Sequence, residues 1–189
     1  MSGADLDKAG QLVAVVGPSG AGKDTVLDAA CRAAPWLVRA KRVITRDEDK
    51  GGEDHIGVSD EAFEAGLAAG AFLFHWQAHG LRYAVPVSVV AALKEGKTVL
   101  FNGSREALPE IMESYPELRV VVITTDRATL SRRLEERGRE TAAEIEKRLE
   151  RGRIAVPEGI PFMEIDNSGR VKDSVAQLLA ALGQVETAA

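Results

Sequence analysis

Residues Gly17-Pro18-Ser19-Gly20-Ala21-Gly22-Lys23-Asp24-Thr25, directly behind the apolar run Leu12 to Val16, constrain this chain more than any other segment. They read as strand, glycine-rich turn and helix start, the P-loop arrangement that wraps a nucleotide's phosphates. The glycines let successive backbone N–H groups turn toward phosphate oxygens. Lys23 adds a positive charge near the β/γ-phosphates, and the helix opening there supplies the positive end of its dipole. A plain glycine turn would need neither the lysine nor the helical continuation through Val26, Leu27 and Ala30. One position departs from the usual pattern. The Ser/Thr that ordinarily follows the lysine and binds Mg²⁺ is Asp24 here, with Thr25 next. The carboxylate can bind the ion directly or through water, or it can position Thr25 to do so, so both are metal candidates.

Strand-like runs at Leu12–Val16, Val38–Thr45, Thr98–Asn102, Arg119–Thr125 and Phe162–Asp166 are mostly separated by helical patterns. The helices are expected over Lys23–Ala33, Asp60–Ala69, Pro86–Glu95, Ser104–Tyr115, Ala128–Arg137, Ala142–Arg153 and Val171–Leu182. This alternation predicts an α/β fold with a parallel sheet covered on both faces. Ligands then sit at the carboxyl ends of the strands, which places Gly17, Thr45-Arg46, Asn102-Gly103 and Thr124-Thr125 around one crevice. A chain of 189 residues is most simply one domain. We expect it over residues 11–183, between loose ends at 1–10 and 184–189. The single Cys31 excludes an intrachain disulfide framework. No segment reads as a signal peptide or membrane span, so a cytoplasmic protein is expected. The net charge of −5 argues against general nucleic-acid affinity, leaving local arginines to hold any anionic substrate.

Three further constellations carry chemistry. Arg42 and Arg46 flank the strand end Val43-Ile44-Thr45, ahead of the polar stretch Gly51-Gly52-Glu53-Asp54-His55. An arginine fork suits phosphate, so a second phosphate site is expected there rather than a merely solvated strand end. The segment Phe72–Pro86 holds His75, Trp76, His79, Arg82 and Tyr83, and Gly80 suggests a turn between two short strands of a small lobe spanning about 42–86. His75 and His79 read equally well as substrate contacts or as satisfied structural residues. Neither has a third partner spaced for zinc. Between Leu130 and Arg153 arginines are dense. Arg132 and Arg153 fit an exposed helix laced with ion pairs. Around Gly138, Arg137, Arg139 and Arg148 instead suit a flap over about 137–148 that closes on a nucleotide.

Taken in order, the GPSGAGK loop, the ITR strand end, Phe72-Leu73, RLEERGR and Asp166-Asn167 resemble the guanylate kinase branch of P-loop kinases along nearly the whole chain. Departures are informative. Where that branch reads guanine with a glutamate two residues after the Phe of its Phe-Leu pair, this chain has Phe74. A hydroxyl residue is replaced by Val85, and the acidic end of the third core strand by Asn102. Those replacements resemble the ribose 1,5-bisphosphate phosphokinase family. So do GPSGAGKD, Arg42 with Ile44-Thr45-Arg46, Glu53 with His55, His75-Trp76, Gly80-Leu81 with Tyr83, Asn102-Gly103-Ser104-Arg105 and Arg137-Gly138-Arg139-Glu140. Ala84 stands where that family usually has glycine.

The resemblance implies a five-stranded parallel sheet flanked by helices, a substrate lobe and an arginine-rich flap. It implies Mg²⁺ with ATP as co-substrate and a small sugar bisphosphate as acceptor, with no nucleic acid or membrane partner. Oligomeric state stays open. ATP is expected on Gly17, Pro18, Ser19, Gly20, Ala21, Gly22, Lys23, Asp24, Thr25, Arg137 and Asn167. Lys23, Arg46, Arg137 and Arg148 are the catalytic candidates. Arg42, Arg46, Glu53, His55, His75, Arg82, Tyr83, Asn102, Ser104, Arg105 and Arg139 are the substrate-binding candidates. Two alternatives remain at this point: a nucleoside monophosphate kinase acting on GMP, and a non-catalytic binding module of guanylate kinase-like fold.

Overall fold

A computed structural model of the chain describes residues 10–48, 53–138, 145–146, 149–150 and 155–183, apart from the side chain of Arg137. Apart from Gly10, whose N–H bonds the Leu93 carbonyl at 2.9 Å, the ends expected to be loose and most of the expected flap lie outside these residues. Strand β1 (Leu12–Val16) is wholly buried, and its side chains divide by parity between two cores. Leu12, Ala14 and Val16 enter one, Val13 and Val15 the other, as a strand covered on both faces requires. On β1's two sides run β7 (Thr98–Asn102) and β8 (Arg119–Thr124), with β2 (Leu37–Arg39) and β9 (Met163–Asp166) outermost. The five-stranded order β2-β7-β1-β8-β9 is parallel throughout, as expected.

Helices α1 (Lys23–Ala33) and α6 (Val171–Gly183) cover one face through Val26, Leu27, Ala30, Val175 and Leu178. The other face meets α3 (Val89–Lys94), α4 (Leu108–Ser114) and a second sheet of order β4-β3-β6-β5. That sheet is the lobe: β3 (Val43–Ile44), β4 (Ile56–Gly57), β5 (Phe72–Ala78) and β6 (Leu81–Pro86). Helix α2 (Asp60–Ala68), capped by the Ser59 hydroxyl on the Ala62 N–H at 3.2 Å, backs it through Phe63. Helix α5 (Arg127–Arg137) starts on Asp126, whose carboxylate accepts from the Thr129 N–H at 2.8 Å, and ends on Gly138 at φ 60. No helix among the described residues is long and apolar enough to cross a membrane.

Three sequence expectations need correcting. The run Val38–Thr45 is two strands in different sheets: β2 pairs with β7 in the core, and β3 pairs with β6 in the lobe. Residues Ala40-Lys41-Arg42 carry the chain across, and the charged pair Lys41-Arg42 marks the transfer. The helix expected from Pro86 starts at Val89, because Pro86 closes β6 opposite Phe72. The helix expected from Ser104 opens with a tight 3₁₀ turn at Arg105–Ala107. Within the helix expected over Ala142–Arg153, only 145–146 and 149–150 are described, and Ile145 and Leu149 pack on Leu130 and Leu134.

Candidate active site

The glycine loop leaves the carboxyl end of β1 and closes on α1. Gly17, at φ 143, passes so near β8 that an added Cβ would lie 2.1 Å from the Ile123 carbonyl oxygen. Gly22, at φ 87, is the residue before α1, and a Cβ there would fall 2.5 Å from Asn167 Nδ2. Both positions therefore demand glycine. No side chain caps α1, so its first-turn N–H groups face the loop's hollow as anion donors. Lys23 Nζ donates to the carbonyls of Gly17 at 2.9 Å and Pro18 at 2.8 Å. Burial, aided by the neighbouring Arg105 and Arg42 and opposed by Asp24, lowers its ammonium to about 8.

From this loop a cleft of about 490 Å³ runs between core and lobe. Its walls bring together Gly17, Ser19, Lys23 and Asp24 from the loop, and Asn102, Ser104 and Arg105 from the end of β7. The lobe contributes Arg42, Arg46, Glu53, Trp76 and Tyr83. The expected meeting of phosphate loop, second arginine site and Asn102 is thus found in one place. Burial lowers the Arg105 guanidinium from its ordinary value.

Asn102 joins the two halves. Its Nδ2 donates to Asp24 Oδ1 at 2.8 Å and to Glu53 Oε2, while its buried Oδ1 has no partner among the described residues. Glu53 in turn accepts from Arg42 Nε at 2.7 Å. Asp24 is also paired with Arg39, which holds Asp28 as well. Arg42 lies over two stacked rings, 4.8 Å from the Tyr83 centroid and 5.5 Å from that of Trp76. The two ring centroids are 5.5 Å apart and the planes 10° from parallel.

Several expected contacts lie elsewhere. His75 and Arg82 project from the opposite face of the lobe sheet. Arg82 pairs with Glu64 at 2.7 Å and lies 4.3 Å over Phe63, and His75 meets Phe63 edge-on. Of the two histidines weighed, His79 is the one on the cleft. His55 is 2 % exposed, its ring nitrogens bonded to the backbone oxygens of Glu53 (2.9 Å) and Arg46 (3.2 Å), so it shapes the lobe loop from within. Thr25 is exposed and stands off the cleft. Thr45 accepts the Arg82 N–H, and Thr124 and Thr125 bond toward β9 and Asn167, so none of these three joins the crevice. Asn167, 1 % exposed, braces the loop from behind: Nδ2 donates to Ala21 O at 2.6 Å and Oδ1 accepts from Ser174. Arg133, unassigned from sequence, joins it by donating to Asn167 O at 2.9 Å. Arg137 is described only as the last residue of α5, and Arg139 and Arg148 lie outside the described residues.

A glycine loop with its lysine at the carboxyl end of a central parallel strand, facing an arginine-lined lobe, defines the P-loop phosphotransferase class. The guanylate kinase family model matches residues 9–183. Ribose 1,5-bisphosphate phosphokinase from Rhizobium etli is 43% identical over 176 residues, 92% of this chain and 89% of that protein. The Ruegeria enzyme of the same name is 44% identical over 175 residues, 92% of each chain. This chain belongs to the guanylate kinase family, in its ribose 1,5-bisphosphate phosphokinase branch. In fold it matches guanylate kinase from Anaplasma phagocytophilum, with a TM-score of 0.68 at 19% identity, covering 95% of this chain and 88% of that one.

Proposed function

We propose that this chain transfers the γ-phosphoryl group of ATP to the 1-phosphate of α-D-ribose 1,5-bisphosphate. The products are 5-phospho-α-D-ribose 1-diphosphate and ADP, a reaction suited to phosphonate breakdown in the cytoplasm. One observation carries this reading. The cleft keeps the phosphate loop and the lobe arginines, while Phe74 and Val85, at positions where guanine would be read, are buried in the apolar core. A guanine edge brought there would leave its amide groups unpaired.

The attacking oxygen belongs to a phosphate already ionised near neutral pH. It forms a bond to the γ-phosphorus as the bond to the β,γ-bridging oxygen breaks, so no protein base is required. The protein's part is alignment and charge neutralisation. Lys23 leaves its loop carbonyls for the phosphates, and Arg46 and Arg42 hold the acceptor in the lobe. Arg137 and Arg148 are assigned to the transferring group and Arg139 to the acceptor.

Among the described residues no three metal-ligating side chains converge, so a metal caged by protein alone has no site there. Mg²⁺ ordinarily needs only one or two carboxylates plus substrate phosphates. Asp24 fits that need: it borders the cleft, and its side chain is 46% exposed. Asp24 would hold the ion, which supplies charge neutralisation across the β- and γ-phosphates.

The test is ³¹P NMR of protein, MgATP and ribose 1,5-bisphosphate, with GMP in a parallel tube. A new sugar-linked diphosphate doublet pair is expected, and GDP signals alone would reject the reading. Lys23→Ala is expected to abolish turnover, and near-wild-type rates would overturn the scheme.

A further inference from the structure

Three side-chain polar atoms are buried without a partner among the described residues: Arg46 Nε, Trp76 Nε1 and Asn102 Oδ1. All three belong to residues that line the cleft. Buried polar groups are almost always satisfied, so three orphans around one cleft mark places where a ligand completes the bonding. The set has a definite chemistry: two donors and one acceptor. A phosphorylated sugar offers acceptor oxygens together with hydroxyl donors, and meets all three.

Trp76 is the most telling of these. Its ring is 2 % exposed, stacked on Tyr83 and packed with Phe74 and Phe101, so the indole is fixed in one orientation. Packing makes no use of the N–H, which is left unmet among the described residues. An indole N–H can only donate. It therefore calls for an acceptor oxygen, and among the described residues none bonds it, the hydroxyl of the stacked Tyr83 included.

We propose that Trp76 is a specificity-determining residue whose Nε1–H donates to an oxygen of the acceptor sugar bisphosphate. This rests on the sugar bisphosphate reading above and adds a contact to it. The residue favours a ligand with an acceptor at that point of the lobe wall, and penalises one that presents carbon or a donor there.

Trp76→Phe keeps an aromatic ring for Tyr83 to stack on while removing the donor, and the packing lost with the smaller ring is read separately from the Tm. The expected result is a KM for ribose 1,5-bisphosphate raised about tenfold. The KM for ATP and kcat should move far less. The unliganded Tm should fall modestly, because the cavity left by the smaller ring outweighs the relief of an unmet buried donor. A second measurement uses Trp36→Phe, away from the cleft and exposed, which leaves Trp76 as the sole tryptophan. Titration of that variant with ribose 1,5-bisphosphate, without ATP, should shift the Trp76 emission. A wild-type KM in Trp76→Phe, or an emission maximum that stays fixed while the sugar binds, would overturn the proposal. Failure of the unmodified protein to bind or phosphorylate the sugar bisphosphate would overturn the functional reading, and this inference with it.

Discussion

At the scale of single residues, Asn102 shows how one amide organises the cleft. Its NH₂ group bridges carboxylates from α1 and the lobe loop, and its buried oxygen has no partner among the described residues. An acidic residue would set a third carboxylate against Asp24 and Glu53. Charges about 4 Å apart at an effective dielectric near 20 repel by about 4 kcal/mol, part of which relaxation and protonation remove. Asn102→Asp should therefore lower kcat/KM for the sugar bisphosphate by about a hundredfold in steady-state assays. A change under about threefold would mean that the amide is only wall. The residue itself was legible at the end of an apolar strand. Its partnership with Asp24, 78 residues earlier, was not, because nothing local encodes a tertiary contact. The brace formed by Asn167 and Arg133 behind the loop was hidden for the same reason. The glycine loop could be read whole because its chemistry is contiguous.

At the scale of elements, the β5–β6 hairpin decides which attractive side chains reach the cleft. The two-residue turn has φ 54 at His79 and 73 at Gly80, the doubly positive pattern of a type I′ hairpin. It sets Ala78 opposite Leu81 and Trp76 opposite Tyr83. Parity then puts Trp76, Ala78, Leu81 and Tyr83 on the cleft side, with His75 and Arg82 behind. Residue type alone favoured His75 and Arg82 as ligands, yet the Gly80 turn carried the register that excludes them. The split of Val38–Thr45 was marked only by Lys41-Arg42, charges that a strand end facing phosphate explains equally well. Arg82→Ala should thus leave the KM for the sugar bisphosphate within about twofold. It should cost about 1 kcal/mol of stability through the lost Glu64 pair and Phe63 contact, read from chemical denaturation. A large KM increase with unchanged stability would return Arg82 to the substrate.

At the scale of the molecule, the cleft is where two sheets and the glycine loop meet, and it stores repulsion that substrate relieves. Lys23, Arg42 and Arg105 crowd one another there, and burial together with these cations is what brings the Lys23 ammonium to about 8. Below that pH the buried charge opposes folding. Between about 8 and the unfolded value near 10.5, the unfolded chain binds more protons than the native one. Stability therefore gains from this group as pH rises through that window. Removing the amine should remove both effects: Lys23→Ala should show an unliganded Tm at pH 7 at or above wild type, and a flatter Tm profile between pH 8 and 10. Nucleotide reverses the balance. MgATP at one hundred times its Kd should stabilise the native chain by about 2.7 kcal/mol, which for this size is about 5–11 °C in Tm. The alanine variant should lose most of that shift. Because phosphate restores the full charge of Lys23, binding at pH 8.5 should also take up a proton, measurable by calorimetry in buffers of different ionisation enthalpy. A Lys23→Ala chain that is less stable without ligand, yet shifts normally with MgATP, would mean that the lysine holds the loop together rather than the phosphates.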